Sequence, residues 1–405
     1  MKNPLYAFMI IAIVLLCCLL TVFVGEASQA EVPENTAISF SDPNFEAAVR
    51  KVIDKPEGEI LASDVAGITE LDVSSRDIVD LQGIEYFTGL KELYCYSNRL
   101  TKLNVSRNHA LTELLCQENE LIELDVRGAT ALDVLNCESN QLRTLDVTQN
   151  IVLDTLFCSD NQLITLDLEK NNILIDLFCS GNRLESLDIS QNIRLGLLHC
   201  GNNKLTTLDT KNNTRLYTLY CGENQLTTLD VSNNAVLWNL GCNDNMLEHL
   251  NLQGAAALEI VYCLNNQLTT LDISGNAVLK HLSCGSNRIS SLIIGNDNSL
   301  SVLLCNDNQL TELDVSEATE LWKLDCSKNR LTALNVDGAA NLVKLNCETN
   351  QLTSLNLSYN TELDDVACAN NLFPDRSAIL GLDESRLAHF DFDPQGFLIP
   401  KPSKH

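Results

Sequence analysis

The sequence predicts a β-rich repeat solenoid: a right-handed arc with a parallel sheet on its concave side, an extended convex side, a small helical cap at the N-terminus and a strand-like cap at the C-terminus. Three observations carry this. Fourteen cysteines, from Cys95 to Cys368, recur every 21 residues without insertion or deletion. Each stands in the same skeleton, LxxLxCxxNxLxxLDVxxNxx, as in "LTELLCQENELIELDVRGATA" from Leu111 to Ala131. An asparagine follows every one of these cysteines by three residues, from Asn98 to Asn371. A fixed short period means one small unit stacked on copies of itself, so the 405 residues build one continuous array.

The elements follow in chain order. Lys2, an apolar run from Leu5 to Val24 and small residues at Ala27 and Ala30 give residues 1–30 the layout of a cleaved signal peptide. The run is also long enough to span a bilayer, so an uncleaved N-terminal anchor is the alternative. Cys17 and Cys18 follow leucines, which argues against a lipid-anchored cysteine; no second span and no Leu-Pro-x-Thr-Gly sorting signal is read. Residues 31–67 form the helical cap. Asp42 can N-cap a helix with Pro43 at its first position, and Phe45, Val49, Val52 and Ile53 make an apolar stripe that closes the core. Residues 68–372 hold the repeats: one 22-residue unit, then fourteen strands spaced by 21. Residues 373–405 form the second cap, where "LAHFDFDPQ" (Leu387–Gln395) mimics a strand with Phe392 in the cysteine slot and Gln395 in the asparagine slot.

Within a unit the short strand lies around Leu-x-Cys. Leu114 and Cys116 are two residues apart and point into the core, while Glu113, Leu115 and Gln117 point to the concave surface. An asparagine amide both donates and accepts, so stacked asparagines can satisfy the backbone of a buried turn. The second half of the unit has no helical period, which predicts an extended or turn-like convex side.

Leucines at this spacing, in a period of this length, mark leucine-rich repeats. The Cys-bearing 21-residue unit with "LDVS" in its second half resembles a class of bacterial extracellular leucine-rich repeats over residues 91–372. The preceding segment, "ISFSDPNFEAAVRKVIDKPEGEILASDVAGITELDVSSRDIVDLQGIEYFTGL", resembles the N-terminal cap of internalin-like surface proteins. It departs at Arg76, which stands where the ladder asparagine would be. The resemblance implies partner binding through the concave face.

The cysteines admit three readings: disulfides, a metal site or packing. In-register neighbours on parallel strands have parallel side-chain vectors about 4.8 Å apart, a strained geometry for a disulfide. Metal sites want CxxC pairs or tetrahedral clusters, and neither is present. Packing is the expectation, and Phe392 in the same slot supports it. A second column, Asp125, Asp146, Asp167, Asp188, Asp209, Asp230, Asp272 and Asp314, suggests calcium. Yet Asn104, Asn251, Asn335 and Asn356 share the slot, so backbone acceptance in a turn is preferred. "DKPEGEILASD" (Asp54–Asp64) lacks the alternating acids of a calcium loop. No cofactor and no metal is expected.

A net charge of −27 disfavours nucleic acid and anionic lipid as partners. No HExxH, GxSxG or phosphate-cradling loop occurs. A trio of Ser180, His199 and Asp176 can be imagined, but an open sheet lacks a water-excluding pocket, so no enzyme is expected. The concave positions are more informative. An aromatic stripe runs through Phe157, Phe178, His199, Tyr220 and Tyr262, broken at Gly241, with Leu197, Ile260 and Leu264 beside it. Across strands four to ten, 21 concave positions hold one charged residue, Asp176. In a chain that is 20% charged about four would stand there. These eight apolar and aromatic residues are the candidate ligand-binding set. The expectation is a monomeric, secreted or cell-surface protein that binds a protein or glycan partner. The alternatives are a passive spacer and cross-strand struts in place of a binding stripe.

Overall fold

A computed structural model describes residues 35–296 and 298–396. The expected signal segment, residues 1–30, lies outside the described residues, as do residues 397–405 of the C-terminal cap. Among the described residues sixteen strands form one parallel sheet in which each pairs with the equivalent strand of the next repeat. It opens with Glu70–Asp72, passes through the fourteen strands that lead into the cysteines, and closes with His389–Asp391. At about 4.8 Å per strand it is roughly 70 Å long.

Most strands are three residues long and bury only their middle residue, as Glu113–Leu115 buries Leu114. With Leu111, Cys116, Leu121, Leu124 and Val126, all buried, it makes one layer of a core that is continuous from Ile38 to Phe392. Among the described residues the convex side carries five two-stranded pairs, among them Lys102–Asn104 with Glu123–Asp125 and Thr270–Asp272 with Ser291–Ile293. It is extended, as its missing helical period predicts.

The fourteen cysteines are free thiols and wholly buried. Burial pushes the thiols up, Cys137 and Cys221 to about 12, which keeps them protonated and unreactive. Their carbonyls do more than their sulfurs. Asn140 Nδ2 donates to Cys116 O at 3.0 Å, Cys137 O at 3.1 Å and Glu138 O at 3.1 Å. Its Oδ1 accepts the Leu121 N–H at 2.9 Å. Each ladder asparagine thus closes its own turn and ties it to the preceding repeat. The residue just before it, such as Ser139 at φ 52°, takes the left-handed conformation the turn needs.

A second ladder runs through the asparagines of "LDVSxN", whose role the sequence alone did not reveal. Asn150 is wholly buried and donates to Val126 O at 3.0 Å and Ala129 O at 2.8 Å of the preceding repeat. Asn171, Asn192 and Asn213 repeat the pattern. Ala129, Ala255, Ala318 and Ala339 occupy the same slot, so this ladder tolerates interruption.

The aspartate column accepts backbone N–H groups two residues on: Asp188 from Ser190 at 2.9 Å, Asp230 from Ser232 at 2.9 Å. Asn104 and Asn356 do the same for Ser106 and Ser358. One shared oxygen explains why both residue types fit.

The N-terminal cap is the helix Pro43–Val52 with a short helix Ala62–Val65. Asp42 caps the first: Oδ1 accepts from Asn44 and Phe45 at 2.8 and 3.0 Å, and Oδ2 accepts the Val79 N–H of the first repeat at 2.7 Å. Burial alone would raise this carboxyl, but the N–H groups of Val79, Phe45 and Asn44 hold it below its usual range. The helix buries Phe45, Ala48 and Val49; Val52, expected in the stripe, is half exposed because it ends the helix beyond the core's edge. The Asp54–Asp64 segment is closed by Arg50, which donates to Lys55 O and Gly58 O, and by a Lys55–Asp64 ion pair at 2.7 Å. At the far end Phe392 fills the cysteine slot against Phe373, ring centroids 6.1 Å apart, and Gln395 bonds Cys368 O and the Asn371 N–H.

Asn140→Ala strips three carbonyls and one N–H of a partner and should cost more than about 3 kcal/mol. Asn150→Ala, in a slot that alanine fills elsewhere, should cost half of that or less; urea unfolding midpoints compare the two. The ladder thiols should resist a thiol reagent in the native protein and all react once the chain is unfolded, in a titration without reductant.

Candidate interaction surface on the concave face

Sheet register places one outward residue of each strand in a column: Phe157, Phe178, His199, Tyr220, Gly241, Tyr262 and Ser283 stand opposite one another in sequence. Strand spacing brings rings of neighbouring repeats into contact. Phe157 and Phe178 lie 4.6 Å apart with planes at 16°. His199 stands edge-on to Phe178 at 4.8 Å and to Tyr220 at 4.7 Å.

The gap read at Gly241 is filled from the side. A Cβ on Gly241 would sit 2.5 Å from Tyr220 Cδ1, so the tyrosine ring leans over this glycine. Asn239 Nδ2 holds its hydroxyl at 2.5 Å. Beyond the gap Tyr262 packs on His281 instead, with centroids 5.1 Å apart. The candidate stripe is therefore a row of four rings in contact, one pair stacked and two pairs edge-on, plus a separate pair. All of these rings are half-buried by their neighbours. Leu197 and Ile260 begin their strands on the same face, and Leu264 follows Cys263; all three are half-buried.

Three neighbours were missed from sequence: His281, Asn239 and Tyr217. The Tyr217 ring lies over Gly196, where a Cβ would come within 2.6 Å of Cε1. A glycine in register beside a tyrosine was the available signal at both places. Tyr217 is raised by burial and then by the Asp176 charge; Asp176 is raised by burial and then by Asp154. His199 contacts Phe178 and Tyr220, and among the described residues no hydrogen bond joins it to Ser180 or Asp176. Also among the described residues, no group of three or more His, Cys, Asp or Glu could hold a metal ion.

Burial lowers the pKa of His199, and burial followed by the Lys323 charge lowers that of His281. The unfolded chain therefore takes up these protons more readily than the folded one. Their contribution is intact above the usual imidazole range and is lost as pH falls through it toward the depressed folded value. Melting temperature should fall less between about pH 7 and about pH 5 in His199→Gln with His281→Gln than in the wild type.

No family model matches the chain. Internalin J of Listeria monocytogenes serotype 4b (strain F2365) is 34% identical over 70 residues, which is 17% of this chain and 8% of that protein. The solved functional domain of internalin J from Listeria monocytogenes, described as including a cysteine ladder, is 31% identical with a TM-score of 0.63; the match covers 85% of this chain and 79% of that one. The ectodomain of the Arabidopsis receptor kinase HAESA, solved with an IDA peptide hormone ligand, shares the fold at 20% identity and a TM-score of 0.59, over 82% of this chain and 63% of that one.

Proposed function

The chain belongs to the internalin-like leucine-rich-repeat proteins, and from that premise we propose that it is a secreted or cell-surface protein that binds a protein or glycan partner on its concave face. One observation carries the reading. The buried skeleton keeps the same residue type at most positions of every unit, while the outward columns vary and, across the middle strands, gather rings and hold a single charge, Asp176. A passive spacer needs no such departure from periodicity. An apolar, ring-lined surface with polar surroundings is the usual ground for recognition. A leucine-rich-repeat ectodomain of the same fold holds a peptide hormone, which supports a polypeptide ligand. The role is non-enzymatic: the sheet is open, and His199 is engaged by rings. Export rests on the layout of residues 1–30 and on internalin-like kinship.

Phe178→Ala with Tyr220→Ala should weaken binding at least about tenfold, since such rings often supply about 2 kcal/mol or more each. The measurement is interferometry against a panel of purified extracellular proteins and cell-wall glycans. Lys323→Ala with Lys344→Ala is the control and should change affinity little. A double ring variant that binds like wild type rules out this face. One that unfolds identifies the rings as cross-strand struts.

A further inference from the structure

We infer that the partner presents a basic, extended polypeptide segment, its cationic side chains on the N-terminal part of the concave face and its apolar side chains on the Phe157–Tyr220 row. This rests on the concave-face reading and adds the chemistry of the occupant. Charge complementarity selects it. From Glu70 to Glu138 the outward strand positions hold Glu70, Asp72, Glu92, Glu113 and Glu138, and no lysine or arginine; one cation, Lys91, stands at the entrance position two repeats before Asp133. In a chain with 54 acids and 27 lysines and arginines, one or two of five charged positions would be basic.

The acidity reaches the rings. Asp154 N bonds Asp133 O at 3.0 Å and Asp176 N bonds Asp154 O at 3.2 Å, which sets Asp133 and Asp154 just before their strands and Asp176 at the first position of the next strand, on three successive repeats. Asp176 shares a strand with Phe178, and Asp154 immediately precedes the strand of Phe157. Among the described residues none of the three has a cationic partner within ion-pair distance, whereas Lys344 on the C-terminal strands pairs with Asp365 at 3.7 Å. Asp176 Oδ1 is buried without a hydrogen-bond partner. Burial and the neighbouring Asp154 push both Asp133 and Asp176 up, a repulsion that an arriving cation relieves. Ile175, Tyr217 and Trp238 stand exposed on the same rim and extend the apolar surface beside the carboxylates. A chain crossing the strands therefore meets a carboxylate row and a ring row side by side, the arrangement that arginine satisfies with both its charge and its flat face.

The probes are three fluorescent peptides of about twelve residues, alternating leucine with arginine, glutamine or glutamate, read by anisotropy at low and near-physiological salt. The arginine peptide should bind about tenfold or more tighter than the glutamine peptide, and the glutamate peptide should not bind. Asp133→Asn with Asp154→Asn and Asp176→Asn should weaken the arginine peptide about tenfold without lowering the melting temperature, because burial disfavours the Asp133 and Asp176 charges that it removes. Asp188→Asn with Asp209→Asn and Asp230→Asn makes the same charge change on the convex side, in a slot that asparagine fills naturally, and should change affinity less than about twofold. Equal loss in both triple variants would mean attraction by net charge alone and would overturn the inference. So would an arginine peptide that fails to bind. Equal affinity of the arginine and glutamine peptides, still abolished by Phe178→Ala with Tyr220→Ala, would overturn the inference while leaving the concave-face reading intact.

Discussion

The side-chain amide of the ladder asparagine is the constraint on which this solenoid depends. Every repeat must leave its strand and turn outward, and that turn is buried against its neighbours, where unpaired backbone groups cost about 1–3 kcal/mol each. One residue answers for all of them. Asn119 donates to Cys95 O, Cys116 O and Gln117 O and accepts the Leu100 N–H. Two of those partners belong to the preceding repeat. The bonds that shape the turn are the bonds that stack it. They also hold the left-handed residue before the asparagine, which is not glycine in thirteen of the fourteen units; Glu118, Asp160 and Lys328 take it. Strain of about 1–2 kcal/mol at such a residue persists because the amide over-determines the turn.

The cysteine follows from the same constraint. Its carbonyl receives two amide donors, from its own asparagine and from the next one, as Cys116 does from Asn119 and Asn140. Its side chain must then fit between equivalent residues of the repeats on either side, with no polar group left unpaired. A small apolar residue meets that need, and cysteine is small and buries readily. Phe392 takes the slot only in the last strand, where its ring packs against Phe373 and beneath Arg376.

Because the core fixes register, the concave columns are free to carry information. Residues 21 apart stand beside each other whatever they are, so a run of rings in one column becomes a row in contact, as from Phe157 to Tyr220. A glycine in that column gives the adjacent tyrosine room to lie down, as Gly241 does for Tyr220. Aspartates set just before or at the start of neighbouring strands become a row of like charges. The invariant part of each unit makes the scaffold, and the variable part makes a surface with acidic and aromatic sectors.

The period, the inward Leu-x-Cys, the ladder asparagine and the Asp42 cap were legible in the sequence because each is a local rule repeated or a motif with a fixed spacing. So was the meaning of the Asp/Asn column, since two residues that share only an oxygen point to its use as an acceptor. Other features needed the third dimension. The second ladder's partners lie 21 and 24 residues back, as for Asn150 with Ala129 and Val126, and no local pattern names them. The lean of Tyr217 over Gly196 and of Tyr220 over Gly241 runs in opposite directions along the array, a choice made by open space and not by residue type. Whether the stripe was one row or two, and how deeply its rings would bury one another, likewise depended on side-chain rotation about fixed strands. The sequence alone determined the scaffold, because backbone hydrogen bonding at a strict period leaves one solution. Only the tertiary structure decided the surface, because there several rotamers satisfy the same register and the packing of neighbours selects among them.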